Sequence, residues 1–259
     1  MIDGQLSDLR SVLLRAGLVL LVVALAGSGV WLLKAATEPT HSPIEAPAAS
    51  VPIVDVTPGA IAPPQPQAGA VGEDPLRSWA TRVAGVIDVP ARALMAYGNA
   101  ELVLRSSQPA CRLSWATLAG IGRIESDHGR FAGAVLREDG RPSKPIIGVP
   151  LDGAPGVQTI SDSDRGQFDG DATVDHAVGP MQFIPSTWRR WTSDANLDGI
   201  GDPQQIDDAA LAAGRYLCAG NRDLSTPKDW WAAVFSYNHS VPYGQKVFGL
   251  ADGYARAAG

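Results

Sequence analysis

The chain has 259 residues, with 21 Lys and Arg against 27 Asp and Glu, a formal net charge of −6 and a sequence pI of about 5.2. This acidic balance lacks any cluster of Lys and Arg interleaved with aromatic residues, which argues against nucleic acid as a partner. Two cysteines are too few, and too far from suitable histidines, to form a zinc site.

The chain begins with a segment that is typical of a membrane anchor. Arg10 and Arg15 precede an uncharged run over residues 16–33, and Lys34 closes it. A run of about eighteen apolar or small residues is near the minimum for spanning a bilayer. We therefore expect residues 1–34 to form a cytoplasmic tip and a single-pass anchor in the cell membrane, with the rest of the chain outside the cytoplasm. The alternative is a cleavable signal peptide, which would make the protein secreted.

Residues 35–72 are rich in alanine and proline and show no sustained hydrophobic period. Repeated prolines favour an extended, semi-rigid spacer, so we predict a disordered linker here. The remaining segment, residues 73–259, is long enough for one hydrophobic core and is predicted to be the folded domain.

Both cysteines, Cys111 and Cys218, lie in the segment that either reading of the amino terminus exports. In an oxidising compartment an even pair of cysteines favours one disulfide. The alternative is a pair of buried thiols.

The hydrophobic spacing of this segment is mostly helical. We predict helices over 74–89, over 91–106, in the Glu125 segment ending near Gly129, and over 185–191, 203–219, 230–237 and 243–255. Strand signals are confined to 146–149 and 157–160. Residues 132–177, including 162–175, are rich in Gly, Asp and Pro and are expected to form a binding loop with local structure. Its clustered aspartates are expected to cap turns or solvate a flap, and the alternative is that they bind a cation.

One acidic residue shares a helical face with apolar neighbours. Trp115, Leu118, Gly122 and Glu125 are separated by three, four and three residues, so they form one stripe. Desolvation disfavours the charged form of a carboxylate and raises its pKa, which suits a general acid near neutral pH. Asp127 points to roughly the opposite side of the helix and cannot be a partner for Glu125. The helix therefore offers one acid and no nucleophile.

A second acidic motif follows the first half of an EF-hand loop. Its oxygen ligands occupy positions 1, 3, 5 and 7, with Gly199 at position 6 for the turn, but Gln205 replaces the bidentate glutamate at position 12. An enlarged loop could close the site with a later aspartate. The predicted ligands of a structural Ca²⁺ are Asp194, Asn196, Asp198, the Ile200 carbonyl and Asp208. The alternative is a turn that caps the helix after Pro203.

Four ordered sequence blocks resemble the B-type lytic murein transglycosylases of actinobacterial envelope proteins. The blocks are LAGIGRIESDHGRF (118–131), AVGPMQFIPSTW (177–188), DANLDGIGDP (194–203) with DDAALAAGRYLC (207–218), and FSYNHSVPY (235–243). The resemblance covers roughly residues 75–256. It implies a mainly α, lysozyme-like domain of the goose-type lytic transglycosylase class, whose groove binds the MurNAc–GlcNAc strands of peptidoglycan.

The resemblance also implies the roles of individual residues. Glu125 would be the catalytic acid/base, which cleaves the glycosidic bond while the muramic acid's own 6-hydroxyl closes a 1,6-anhydro ring. Gln182 would contact the sugar, and Tyr237 and Asn238 match the family's Tyr-Asn pair, with Tyr237 orienting Glu125 or the substrate and Asn238 binding an acetamido group. The reaction needs no cofactor; envelope protein partners are left open.

Two rival functions stay open at this point. A hydrolytic muramidase on the same fold would activate a water with an aspartate such as Asp171 or Asp175. A catalytically silent peptidoglycan-binding scaffold is a rival of another class, although an unneeded buried carboxylate is costly.

Overall fold

The computed structural model describes residues 74–259. The predicted anchor (1–34) and the predicted linker (35–72) lie outside the described residues. Within 74–259, no helix combines the length and the apolar character that crossing a bilayer requires.

The described part of the chain is mainly helical, which confirms the predicted fold class at that level. Its helices are α1 (Pro75–Ala84), α2 (Ala91–Ser107), α3 (Trp115–Ser126), α4 (Pro185–Trp191), α5 (Ile206–Leu217), α6 (Pro227–Tyr237) and α7 (Val241–Ala258). Two short strands, β1 (Ile147–Pro150) and β2 (His176–Val178), form an antiparallel pair. Single turns of 3₁₀ helix follow α2 and α3.

Helix α3 is the centre of the core, enclosed by α7 on one side and α2 on the other. Two glycines allow this close approach. A Cβ at Gly120 would lie 2.9 Å from the Val247 carbonyl oxygen of α7. A Cβ at Gly122 would lie 2.1 Å from the Tyr97 hydroxyl of α2. Larger residues at either position would push the helix that carries Glu125 out of place.

A second contact joins α2 to α5. Cys111, just beyond α2, forms a disulfide with Cys218 at the end of α5, as the sequence predicts. At the other end of the pair, the Arg92 guanidinium forms a bidentate ion pair with the Asp207 carboxylate, and both side chains are largely buried. The disulfide and the ion pair fix the register of the two helices from both ends.

The predicted strand over 157–160 is wrong. Within this segment Ile160 donates a backbone hydrogen bond to Leu151, and Thr159 makes an isolated bridge with Asp152. The partner of β1 is instead β2, where Ile147 pairs with Val178 and Pro150 with His176. A three-residue strand is too short for an alternating pattern to reveal, whereas the apolar residues of 157–160 lie in a loop that bonds to the residues just after β1.

Candidate active site

A cleft of about 580 Å³ opens beside the carboxyl end of α3. The segment around β1 forms one wall, with Val149, Leu151 and Val157. The opposite wall comes from α4, from the adjoining ends of α5 and α6, and from the turn before α7, and it contains Thr187, Tyr216, Tyr237, Asn238 and His239. Among residues 74–259, Glu125 is the only acidic side chain that lines this cleft, and His239 is the only basic one.

Glu125 lies in the last turn of α3, largely but not wholly buried, as the apolar stripe predicts. The Tyr243 hydroxyl donates a hydrogen bond of 2.5 Å to its Oε1. Burial raises the pKa of Glu125 from 4.5 to about 7, and the Tyr243 hydrogen bond lowers it by a smaller amount. The group can therefore hold a proton near neutral pH and also exist as a base.

Tyr243 is a site residue that sequence reasoning missed. It lies in the first turn of α7, where the Ser240 side chain caps the helix and accepts from the Tyr243 amide. Burial raises the pKa of the Tyr243 phenol far above its ordinary range, so the group stays a donor. Its position at the end of the FSYNHSVPY block was the signal available, but only the fold shows that this turn meets Glu125.

The end of α3 is fastened to the segment that carries Gln182. The Ser126 hydroxyl donates 2.6 Å to the Pro180 carbonyl and accepts from the Gly129 amide. His128 is fully buried with its Nδ1 3.1 Å from the Tyr97 hydroxyl, and burial lowers its pKa to about 3. The neutral His128 does not act as a cation at the helix end, so these contacts position Glu125 without adding charge.

Gln182 lines the cleft with its backbone in the left-handed region, at φ 49°. Its amide nitrogen donates to the Ala177 carbonyl (3.3 Å) and to the Gly179 carbonyl (3.0 Å). The two amide hydrogens are therefore used inside the protein. Gln182 is left with its carbonyl oxygen for a ligand, so it can meet the predicted sugar contact only as an acceptor.

Tyr237 and Asn238 both line the cleft but differ in what they offer a ligand. The Tyr237 hydroxyl donates 2.6 Å to the Met181 carbonyl, so it ties α6 to the Gln182 segment and does not bind Glu125. Asn238 is exposed, and its side chain has no partner among residues 74–259. Its amide is free to pair with an amide of a ligand.

The two aspartates considered as partners of Glu125 are engaged elsewhere. Asp175 is fully buried and accepts hydrogen bonds from the Ser163 amide and hydroxyl. Asp171 accepts from Thr173 and lies 3.4 Å from His176 Nε2. Neither lines the cleft, so the described site contains one carboxylic acid.

The loop predicted to bind calcium is built from the expected oxygen groups. The Asp194 carboxylate accepts from the Asp198 amide (3.1 Å) and the Gly199 amide (2.9 Å), and Gly199 has φ +88°. Asp208 is fully buried; it accepts from three backbone amides of the loop, and burial raises its pKa to about 6. Ile200 is exposed at the loop tip, and Asn196 donates to Asp198. The oxygen donors are of the kind that Ca²⁺ prefers. Calcium binding itself stays a prediction.

Another group of carboxylates lies closer together. Asp162, Asp164 and Asp175 have oxygens within 4.8 Å of one another, and theirs is the one such acidic trio among the described residues. Asp162 and Asp164 accept from backbone amides of the same loop, including that of Gly166. The trio therefore orders the loop from within, as expected for aspartates that cap turns.

Comparison with known proteins gave structural matches only. No protein-family model and no curated protein matches the chain. Two solved structures of the Escherichia coli lytic transglycosylase Slt35, one with bulgecin A and one with calcium, each share 14% identity at a TM-score of 0.37, over 70% of this chain and 79% of theirs. A 36 kDa muramidase/transglycosylase gives the same identity and TM-score over 70% of this chain and 80% of its own. A structural similarity of this size does not indicate an activity for this chain.

Proposed function

We propose that the protein is a peptidoglycan lytic transglycosylase that cleaves the bond between MurNAc and GlcNAc and leaves a 1,6-anhydro-MurNAc end. The observation that carries the proposal is Glu125, a desolvated carboxylic acid held by one phenol and the single acidic side chain that lines the cleft among residues 74–259. Ordinary glycoside hydrolysis uses two carboxylates on either side of the bond. A cleft with one acid suits a reaction in which the substrate supplies the nucleophile.

The proposed chemistry runs through Glu125 twice. Its protonated carboxyl gives a proton to the glycosidic oxygen as the C1–O bond breaks, and positive charge develops at C1 and the ring oxygen. The resulting carboxylate then takes the proton of the muramic acid's 6-hydroxyl while O6 bonds to C1. The acid is regenerated and no water is consumed. Tyr243 holds the carboxyl in one orientation and stabilises its ionised form between the two steps.

The cleft walls supply contacts for the uncharged groups of the sugars. Asn238 can pair with an acetamido group through a free amide, and the Gln182 carbonyl oxygen can accept from a sugar hydroxyl. Val149, Leu151 and Val157 offer apolar surface for the faces of sugar rings. These contacts bind the uncharged parts of the glycan through shape and neutral hydrogen bonds.

The setting of the reaction is part of the proposal. We place the domain outside the cytoplasm on an anchor formed by 1–34 and a spacer formed by 35–72, since both precede a domain with a disulfide. A Ca²⁺ held by the loop around Asp194 and Asp208 would stabilise the fold and take no part in bond cleavage.

The products test the proposal directly. The full chain is incubated with purified peptidoglycan, and released muropeptides are identified by mass spectrometry. We expect fragments lighter by one water than the corresponding hydrolytic products. Glu125→Gln should release none of them while keeping the circular dichroism of the wild type. Tyr254→Phe, a change on α7 away from the cleft, serves as the matched active control.

Each other result has a definite meaning. Reducing-end products would replace the transglycosylase with a muramidase and require a second group that activates water. Binding to the polymer without release of any fragment would favour a scaffold. An active Glu125→Gln variant would remove Glu125 from the mechanism.

A further inference from the structure

We propose that His239 is a specificity residue that binds a carboxylate carried by the glycan, either the lactyl carboxylate of a muramyl residue or a carboxylate of its stem peptide. The inference rests on the proposed function, because it takes the cleft beside Glu125 as the glycan site. It adds a substrate feature that the single-acid mechanism does not require.

The backbone presents His239 at the rim of the cleft. The residue lies between the end of α6 and the Ser240 cap of α7, and its side chain is exposed and lines the cleft. The Ser240 amide donates a hydrogen bond of 2.8 Å to the Asn238 carbonyl, and this bond closes the turn that contains His239. Four residues later Tyr243 holds Glu125. The segment 239–243 thus carries both the exposed imidazole of His239 and the phenol that contacts Glu125.

The imidazole is free to bind a ligand. Within residues 74–259 the His239 side chain has no hydrogen bond, ion pair or ring contact. Two other cations of the described domain are engaged elsewhere: Arg215 donates to the Thr192 carbonyl and the Ser193 hydroxyl, and Arg130 pairs with Asp127. An imidazole offers one N–H donor when neutral and two when protonated, which suits a carboxylate.

The local electrostatics favour an anion at this position. His239 directly precedes Ser240, the cap of α7, and the dipole of that 18-residue helix makes its amino-terminal end electropositive. Glu125, the acidic group lining the cleft, has a pKa raised to about 7 and so carries little negative charge in mildly acidic solution. A substrate carboxylate would therefore be attracted by the end of α7 and only weakly repelled by Glu125.

The chemistry of the proposed substrate supplies such a group. A muramyl residue differs from its neighbour by a 3-O-lactyl group, which ends in a free carboxylate or in an amide that leads to a peptide with its own carboxylates. Binding either anion near Glu125 would place the muramyl residue, rather than the glucosaminyl one, on the side of the bond where C1 reacts.

The test compares His239→Gln, which keeps an N–H donor but cannot become a cation, with Lys246→Gln. The control removes a positive charge from the exposed face of α7 outside the cleft. Full-length protein in neutral detergent is given three soluble glycans: peptide-substituted strands, strands stripped of peptide with free lactyl carboxylates, and stripped strands with those carboxylates methyl-esterified. Both Kd and the kinetics of cleavage are measured for each.

We expect His239→Gln to raise KM and Kd about fivefold for strands whose carboxylate it binds, as for a partly exposed ion pair. Its kcat, and its KM for the esterified glycan, should match the wild type and Lys246→Gln. A loss on stripped strands alone identifies the lactyl carboxylate, and a loss on substituted strands alone identifies the peptide.

Equal losses on all three glycans, or no loss on any, would overturn the inference while leaving the proposed function standing. If no glycan is cleaved by the wild type, the proposed function fails. In that case a Kd that depends on both the carboxylate and His239 would still support the inference, and a Kd that depends on neither would overturn it.

Discussion

Replacing Tyr243 by Phe should shift the pH dependence of the reaction upward. The phenol donates to the Glu125 carboxylate and so favours its ionised form, which lowers the pKa that burial has raised. Removing the hydroxyl leaves only the effect of burial, so the pKa of Glu125 must rise above about 7. The protonated acid would then persist to higher pH, and the basic limb of the pH–rate profile would move with it.

The size of the shift follows from the strength of the lost contact. A hydrogen bond to a charged group contributes about 1.5–3 kcal/mol, and one pKa unit corresponds to about 1.4 kcal/mol. The upper part of that range assumes full burial, whereas Glu125 is partly open to the cleft. We therefore expect an upward shift of roughly one unit. Because the carboxyl also loses its orientation, kcat at the optimum should fall about tenfold.

The assay is kcat/KM on soluble glycan strands from pH 4 to pH 9, for wild type, Tyr243→Phe and Tyr254→Phe. Tyr254 lies on the same helix, and its phenol is not bonded to Glu125. The Tyr254 variant should keep the wild-type profile. A Tyr243 variant with an unmoved or lowered basic limb would refute the assignment of Glu125 as the acid whose ionisation Tyr243 controls.

Three further predictions concern stability. Between pH 4.5 and about 7 the folded protein holds a proton on Glu125 that the unfolded chain releases, so stability falls as pH rises. In urea denaturation at pH 8, the free energy of unfolding of Glu125→Gln should thus exceed that of the wild type by at most roughly 3 kcal/mol, and at pH 4 the two should be equal. Equal gains in stability at both pH values would contradict this. Reducing the Cys111–Cys218 disulfide, whose residues are 107 apart, should cost about 4–5 kcal/mol, and an unchanged urea midpoint would count against it. Calcium should raise the Tm of wild type and of Asp171→Asn but not of Asp194→Asn, and no rise in wild type would remove the calcium site.

The sequence predicted those features that depend on one segment. The apolar stripe around Glu125 is a local helical pattern, and α3 does bury that carboxyl. The disulfide followed from counting cysteines in a domain that the sequence predicts to be exported. Residues 185–191 form a helix with the predicted bounds, since Pro185 starts it and the backbone leaves the helical region at Thr192.

The features that were missed depend on contacts between distant segments. Tyr243 reaches Glu125 across 118 positions of sequence, and no local pattern shows which of two tyrosines in the 235–243 block does so. The side-chain amide of Gln182 donates to a nearby backbone carbonyl, a contact that accompanies the positive φ of Gln182 itself. The short strand β2 exists because β1 offers it a partner.

The enclosure of α3 by α2 and α7 has a consequence for motion. A helix packed through Gly120 against the α7 backbone and through Gly122 against the Tyr97 side chain should open only when the whole domain unfolds, so its amides should be among the slowest to exchange with deuterium. The segment 151–175 is built from turns and isolated bridges and should exchange far sooner. A ligand that enters the cleft therefore meets an immovable acid on one side and an adjustable wall on the other. An inhibitor of this site would have to match the fixed position of Glu125, whereas the segment 151–175 could adjust to it.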